Sequence, residues 1–379
     1  MFEAFLSACK EECRQIQHSW YKLGLISFLP IICFALLIAI FHQGVARELP
    51  VAVVDYDKSQ LSRDFRFALN ASPTAKIAYV NNDVKSALKL LQSAKVYGVV
   101  IIPKNFMRET TLQKSPQVTL MLNTQYILIA KTLKAALLQS SAEFAAKVEA
   151  SWQLRDVVPQ EVKNQVMPIE LYNVPFFNNY KNYFYFLVSA LLPAMWQIFI
   201  VIATIVSFGS LFKANKEKLF FGKRHIEAKI FGKLFPYTIA YFFLGAAYLF
   251  YIYGVESWPF NGSMALMLFT LFLTVLAYEA VALFLFVSSF NYARALSLGA
   301  VYTAPAFAFL GITFPIYAMN GFALFWRDML PISSFVEIQI ALANYGADFI
   351  DIEEKIVHIL LFLPLFVLVF FAFRRRLLS

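Results

Sequence analysis

Glu279 stands alone as an acid within the run FTLFLTVLAYEAVALFLF. Carrying a carboxylate into hydrocarbon costs about 2.5–3.5 kcal/mol on insertion scales, so its side chain must face protein, water or a hydrogen-bonding partner. Two roles suit it: contact with a substrate or a moving interface, or a structural glutamate bonded to a tyrosine or a backbone group. A second feature is LFKANKEKLFFGKRHIEAKIFGK, residues 211–233, whose seven cations are Lys213, Lys216, Lys218, Lys223, Arg224, Lys229 and Lys233. Such a cluster can fix topology, meet anionic lipid or receive a protein partner. A third is GITFPIYAMNGFALFWRDMLPISSF, residues 311–335, an apolar segment that breaks into prolines, Asn320, Gly321 and the pair Arg327-Asp328. Backbone so irregular cannot lie against lipid and must be covered by protein or a wet cavity. Two arrangements satisfy that condition: a pore-facing or gate-forming re-entrant helix over about 322–338, and an interfacial helix anchored by Trp326 at headgroup depth.

Other chemistries find little support. Cys9, Cys13 and Cys33 are too few and too local for a disulfide framework, and without clustered histidines they do not suggest a metal site. There is no Gly-x-Gly-x-x-Gly or Walker-type glycine loop, so no nucleotide site is expected in this chain. The net charge of +9 is spread along the chain rather than gathered on one soluble module, which argues against a nucleic-acid partner.

The elements that must hold these groups follow from composition. The 379 residues are 60% hydrophobic and only 15% charged, with 41 phenylalanines, against roughly 45–50% apolar in a soluble domain. Near-continuous apolar runs recur at about 23–41, 183–208, 234–253, 264–290, 295–318 and 356–373, each long enough to cross ~30 Å of hydrocarbon. Pro30, Pro193, Pro305 and Pro364 fall inside them. The first 20 residues read as an amphipathic helix, with Phe2, Phe5, Cys9, Cys13, Ile16 and Trp20 at spacings of three and four. A mixed-charge start and no small-residue cleavage site make the first run a retained span rather than a secretory signal.

Charge sets the sides. Segment 211–233 carries seven cations and the tail adds Arg374, Arg375 and Arg376, whereas 254–263 has Glu256 and no cation, and 319–355 has Arg327 and Lys355 against six acids. The positive-inside pattern places both termini in the cytoplasm. Between spans one and two, strand-like PVAVVDYD, AKIAYV, VYGVVIIP and QVTLMLN alternate with helix-like SQLSRDFRFALNAS and DVKSALKLLQSA, the pattern of a small α/β domain. A long helix over about 127–152 follows. The expected fold is a polytopic α-helical membrane protein with six transmembrane helices and an inserted extracytoplasmic α/β domain. Its parts are an amphipathic cytoplasmic interface helix (1–22), a first span (23–43), the α/β domain with its long return helix (44–180), five further spans (181–373) and a cytoplasmic tail (374–379). The five spans include cytoplasmic loop 211–233 and an outer re-entrant segment, 320–345.

Several words in this order resemble the permease family of type-2 ATP-binding-cassette exporters, the branch with a large extracytoplasmic domain after the first span. VAVVDYDKSQLSR (51–63) looks like its strand followed by an Asp-x-Ser-x-x-Ser-Arg element, and VYGVVIIPKNF (96–106) like its glycine, apolar strand, Ile-Pro and Phe segment. LYNVPFFNNYKNYFYFLVSALLP (171–193) is similar to its Tyr/Phe-Asn-Pro entry to span two, with Val174 inserted between Asn173 and Pro175. FGKLFPY (231–237) is similar to its Gly-Lys-x-x-Pro-Tyr entry to span three. GITFPIYAMNGFALFWRDMLPIS (311–333) resembles its Gly-x-x-Phe-Pro, Met-Pro, Leu-Pro element. Two departures stand out. FKANKEKLFFGKRHIEAK replaces the family's Arg-Glu-x-Glu-x-Gly-Thr element, and Asn320 stands where proline is common.

The resemblance implies an export permease with no nucleotide site of its own, paired with a second copy or a close homologue. Two ABC ATPase subunits would bring ATP and Mg2+, and this chain itself would bind no cofactor or metal. It implies a coupling helix near 223–229, with Phe220 and Phe221 as anchors and Lys223, Arg224, His225, Glu227 and Lys229 facing the ATPase. The transport-pathway or gate candidates are Glu279, Phe314, Pro315, Met319, Trp326 and Pro331. A bacterial cytoplasmic (inner) membrane, surrounding lipids and an amphipathic, lipid-like or drug-like cargo are compatible with this picture. So are a periplasmic adaptor and an outer-membrane channel. The rival reading is a non-transporting membrane scaffold or receptor whose soluble domain binds another protein. An ion-driven secondary transporter fits less well, because one span alone holds a deep acid and no paired inverted pattern is apparent.

Overall fold

Residues 2–41 form three helices in the computed structural model: α1 (Phe2–His18), α2 (Trp20–Ile26) and α3 (Phe28–Phe41). The structure describes residues 1–42, 47–112, 114–124, 127–153, 182–222 and 224–378. They fall into two units, one made of 1–44 with 175–379 and the other of 45–174. Helices α2 and α3 meet at 42° across Ser27, so the first apolar run is a bent pair. Pro30 lies in the first turn of α3, where its missing N–H leaves no bond unmade.

The second unit is an α/β layer structure. Strands β1 (Leu49–Asp55), β2 (Ala75–Asn81), β3 (Gly98–Ile102) and β4 (Thr119–Leu122) lie in the order β2-β1-β3-β4. β1 runs parallel to β2 and β3, and β4 runs antiparallel to β3. The helices are α4 (Gln60–Asn70), α5 (Val84–Gln92), α6 (Phe106–Thr111) and α7 (Ile127–Gln153). Alternation along β1 divides its side chains between two cores. Val51 and Val53 pack with Phe65, Phe106, Leu133 and Leu137, while Ala52 and Val54 pack with Ala87, Val96 and Val99. A parallel strand covered on both faces needs such a continuous apolar run. Ser59 and Asp83 start α4 and α5 by accepting from the N–H of Ser62 and Ser86.

In the first unit the chain continues through α8 (Tyr183–Lys213), α9 (Glu217–Phe221), α10 (Ile226–Phe250), α11 (Met264–Val287), α12 (Tyr292–Thr303) and α13 (Ala306–Phe309). It ends through α14 (Gly321–Asp328), α15 (Pro331–Ile340), α16 (Phe349–Leu360) and α17 (Leu365–Leu378). Helix α8 is the hub, packed against α3, α10, α11, α12 and α15. Among the described residues, four helical stretches are long and apolar enough to span a membrane: 184–213, 226–255, 264–287 and 349–377. The bent α2–α3 pair makes five. The expected fifth span, 295–318, is instead short pieces. Helix α12 stops at Thr303, Pro305 sits at the break, and α13 has four residues. Twelve residues rise only about 18 Å, too little for the hydrocarbon thickness. Pro364 likewise marks the turn between α16 and α17.

Helix α1 packs on the bundle through a face other than its apolar stripe. Of the expected apolar stripe, Phe2 and Trp20 are largely exposed and Cys13 is exposed, and the stripe's buried member is Ile16. The face that packs carries Ala8, Glu12 and Ile16. Glycine permits the close approach: a Cβ on Gly232 of α10 would come within 2.4 Å of the Phe5 carbonyl oxygen. Phe5 also meets Phe235 edge-on at 5.4 Å.

Glu12 is the centre of that contact. Its Oε1 accepts from Lys22 Nζ at 2.9 Å, Ser207 Oγ at 2.9 Å and Tyr237 OH at 2.7 Å, and its Oε2 accepts from Lys233 Nζ. Glu12, Lys22 and Lys233 are all at most 2% exposed. Lys233 Nζ also lies over the rings of Phe208 and Phe220, at 5.6 and 5.0 Å. Burial by itself pushes the Glu12 carboxyl up, but the ammonium groups of Lys233 and Lys22 and the donated hydrogen bonds outweigh it and hold the group below its ordinary value. Its stabilising effect is therefore complete above the ordinary carboxylate range and is lost as pH falls through the lowered value.

Two outcomes are expected. Glu12→Gln, which leaves two ammonium groups buried without a counter-charge, should cost about 3–5 kcal/mol, read as a fall in Tm of the detergent-purified protein. The wild-type Tm should drop on acidification below the ordinary carboxylate range by more than that of Glu12→Gln.

Candidate functional site

Residues 211–233 build a turn whose backbone is set by three left-handed positions after α8 ends at Lys213. Asn215 has φ +53°, Gly222 has φ +60° and His225 has φ +56°. Between them α9 is a helix of five residues. Phe221 is fully buried, its ring 6.1 Å from Phe208 and 5.3 Å from Phe373. Lys229 reaches back from α10 and donates to the carbonyls of Phe220 at 2.9 Å and Phe221 at 2.8 Å, satisfying acceptors that a helix end leaves open.

This arrangement sorts the residues expected to couple to a partner. A five-residue helix of the loop lies at 217–221, and residues 226–229 of the expected coupling helix form the first turn of α10. Phe221 anchors the loop to its own bundle, and Lys229 is engaged by backbone. Glu227 sits 3.4 Å from Arg374 Nε, which ties the loop to the end of α17. Arg224 and His225 are exposed, and Phe220 is half-buried. Lys223 lies outside the described residues.

Between α1 and this turn opens a groove of about 330 Å³, lined by Ala8, Glu11 and Gln15 on one side and by Lys216, Leu219 and Phe220 on the other. Leu219 is 86% exposed. Sequence reasoning passed over it because EKLFF shows three adjacent apolar residues and not which of them points outward. The phase of a five-residue helix, pinned by buried Phe221, decides that.

The second group, 311–331, is held by a residue that the sequence reading did not select. Arg327 is buried, and its Nη1 donates to the carbonyls of Phe309 at 3.1 Å and Leu310 at 2.9 Å, while Nη2 pairs with Glu337. Lys355 approaches the other Glu337 oxygen at 3.3 Å. His358 bridges the Asp328 carbonyl and Ser334 Oγ, 2.8 Å from each. Asn320 caps α14 by accepting from the Ala323 N–H at 2.9 Å, a role proline could not fill. Phe314 and Pro315 are exposed, Met319 and Pro331 are buried, and Trp326 packs between Phe309 and Phe322.

Glu279 does not join that group. It is fully buried, with Thr238 Oγ1 of α10 at 2.9 Å from both carboxyl oxygens and no other hydrogen-bond partner among the described residues. The expected tyrosine or backbone partner is thus a threonine. From the same helix it is Tyr278 that reaches the 311–331 region, its hydroxyl accepting from the Ile332 N–H at 3.1 Å. Thr238→Val, which leaves the buried carboxyl unpartnered, should destabilise the protein by about 1–3 kcal/mol, with Thr238→Ser close to wild type in the same thermal unfolding measurement.

The geometry is that of a multi-pass membrane protein with an inserted α/β unit and a groove at the basic turn between two long apolar helices. The family model for ABC-2 family transporter protein matches residues 23–373. No curated protein matches the chain. The match takes in the long apolar stretches at 184–213, 226–255 and 264–287, most of 349–377, the inserted α/β unit and the basic turn, and the chain belongs to the ABC-2 transporter family.

Proposed function

We propose that the chain is the permease subunit of an ATP-driven exporter in a bacterial inner membrane, with both termini cytoplasmic. It works with a second permease copy or a close homologue and with two ABC ATPase subunits that supply the ATP and Mg2+ chemistry. The observation that carries this reading is the groove between α1 and α9, with Leu219 on its rim. A single exposed leucine is ordinary, but at the rim of a groove beside Lys216 it offers a docked protein an apolar and a charged contact together.

The residues beneath the groove explain how a push there would move the bundle. Glu12 binds α1 to α8 through Ser207 and to α10 through Lys233 and Tyr237. Lys229 binds α9 to α10. Displacement of α1 or α9 by an ATPase is therefore passed to two long apolar helices by buried hydrogen bonds. The exposed apolar residues Phe2 of α1 and Trp20 at the start of α2 suit the membrane surface. The cargo that fits aromatic-rich helices is amphipathic, lipid-like or drug-like, leaving the cytoplasm or the inner leaflet. The α/β unit is then available to receive it or to meet a periplasmic adaptor and outer-membrane channel.

Purification in mild detergent should recover an ABC ATPase with the chain, and vesicles holding both should export in an ATP-dependent way. Leu219→Asp forfeits an apolar contact worth about 1.5–3 kcal/mol, so ATPase affinity should fall about ten- to hundredfold with the Tm of the isolated permease unchanged. In a Cys9, Cys13 and Cys33→Ser background, Leu219→Cys should label only from the cytoplasmic side. Recovery of a partner on the α/β unit with no ATPase, or labelling of Leu219→Cys from outside, would overturn the reading in favour of a membrane scaffold.

A further inference from the structure

Outside the carboxyl ends of β1 and β2 lies a pocket of about 110 Å³, lined by Asp55, Lys58, Arg63, Arg66, Asn81 and Asn82 together with Val80. Its one carboxylate is already engaged. Asp55 Oδ1 accepts from the N–H groups of Asp57 at 3.1 Å and Lys58 at 2.9 Å, and Oδ2 accepts from Ser62 Oγ at 2.9 Å. These bonds fold the chain back so that Lys58 takes φ +54°, a left-handed conformation uncommon for a lysine. Arg63 is fixed across the turn, with Nη1 donating to the Lys58 carbonyl at 2.9 Å and Nη2 to Gln60 Oε1 at 2.8 Å.

Arg66 is placed without being satisfied. Its Nε is buried, lies 3.5 Å from Asp55 Oδ2 and makes no hydrogen bond among the described residues. On β2, Asn81 donates from Nδ2 to Ser86 Oγ at 3.1 Å, while its buried Oδ1 has no hydrogen-bond partner among the described residues. Three cations against one fully bonded carboxylate leave the pocket net positive.

We propose that this pocket binds the phosphate group of a small phosphorylated ligand. Arginine presents a planar fork of donors that matches phosphate oxygens, and the ammonium of Lys58 adds a point charge. Asn81 Oδ1 is an acceptor for a P–OH or for a hydroxyl next to the phosphate. The volume falls well short of the roughly 300–1,000 Å³ of pockets that enclose whole drug-sized molecules, so a phosphate group enters and the rest of its carrier stays outside. This inference goes beyond the transport reading and does not depend on an ATPase.

The test uses the full-length chain in phosphatidylcholine nanodiscs, without ATP or an ATPase. Radiolabelled inorganic phosphate is one probe and dihexanoyl phosphatidic acid the other. Saturable binding of either probe is expected. Arg66→Gln and the exposed-site variant Lys58→Gln should each weaken it about ten- to hundredfold, and Lys76→Gln, which alters an exposed pair with Glu48 on the same unit, should leave it unchanged. Binding confined to phosphatidic acid assigns the pocket to a lipid phosphate, and equal or tighter binding of inorganic phosphate assigns it to a free one. Absence of saturable binding by both probes, or binding that survives in both Arg66→Gln and Lys58→Gln, overturns the proposal.

Discussion

A carboxylate and two ammonium groups shut away from water hold the first helix in its place, and the rest of the basic turn is arranged around them. Each such ion costs several kcal/mol to remove from water even after the surroundings relax. The cluster survives because Glu12 receives four donors, from Lys22, Ser207, Tyr237 and Lys233. One positive charge remains in excess, and the faces of Phe208 and Phe220 lie against Lys233 where it is least hydrated. An arrangement with so many simultaneous conditions also sets register. Turning α1 by one residue rotates Glu12 through about 100° and leaves both lysines buried and unpaired. The groove beside Leu219 inherits its shape from that register, since α1 forms one of its walls.

The same economy of polar groups governs the broken segment after α12. Where α13 ends at Phe309, the carbonyls at its end find no partner one turn on and must be met by something else. Arg327 meets those of Phe309 and Leu310, and Glu337 balances its charge. This explains the Arg-Asp pair in so apolar a stretch: the arginine serves the backbone of a neighbouring break, while the Asp328 carbonyl accepts from His358 Nε2. Irregular backbone in this part of the chain is tolerated because protein groups cover it. The aromatic cluster of Phe208, Phe212, Phe221, Phe286 and Phe373 performs the packing counterpart at the basic turn.

Much of the α/β unit was legible residue by residue. PVAVVDYD reads as a strand from its apolar run, which the structure covers on both faces, and the three-and-four spacing after Ser59 and the run after Asp83 read as the helices that follow. The long apolar helices were equally plain, because apolar length and proline position are local properties. The candidate sites were less so. The basic turn was visible as seven cations, yet its exposed apolar residue is Leu219, its cations at 229 and 233 are taken up internally, and it holds a short helix at 217–221 besides the start of α10.

Sequence alone settled the membrane class, the inserted α/β unit and the family words, since these rest on composition, period and order along the chain. Tertiary structure alone decided which charges are partners. Glu12 and Lys233 are 221 positions apart, Glu279 and Thr238 41 apart, and Arg327 and the Phe309 carbonyl 18 apart. No local pattern encodes such pairs, because a buried charge is tolerated only by what other segments bring to it. The same reason turned α1 to bury a glutamate: its own apolar stripe could not reveal that two lysines and a tyrosine would be waiting on the other side.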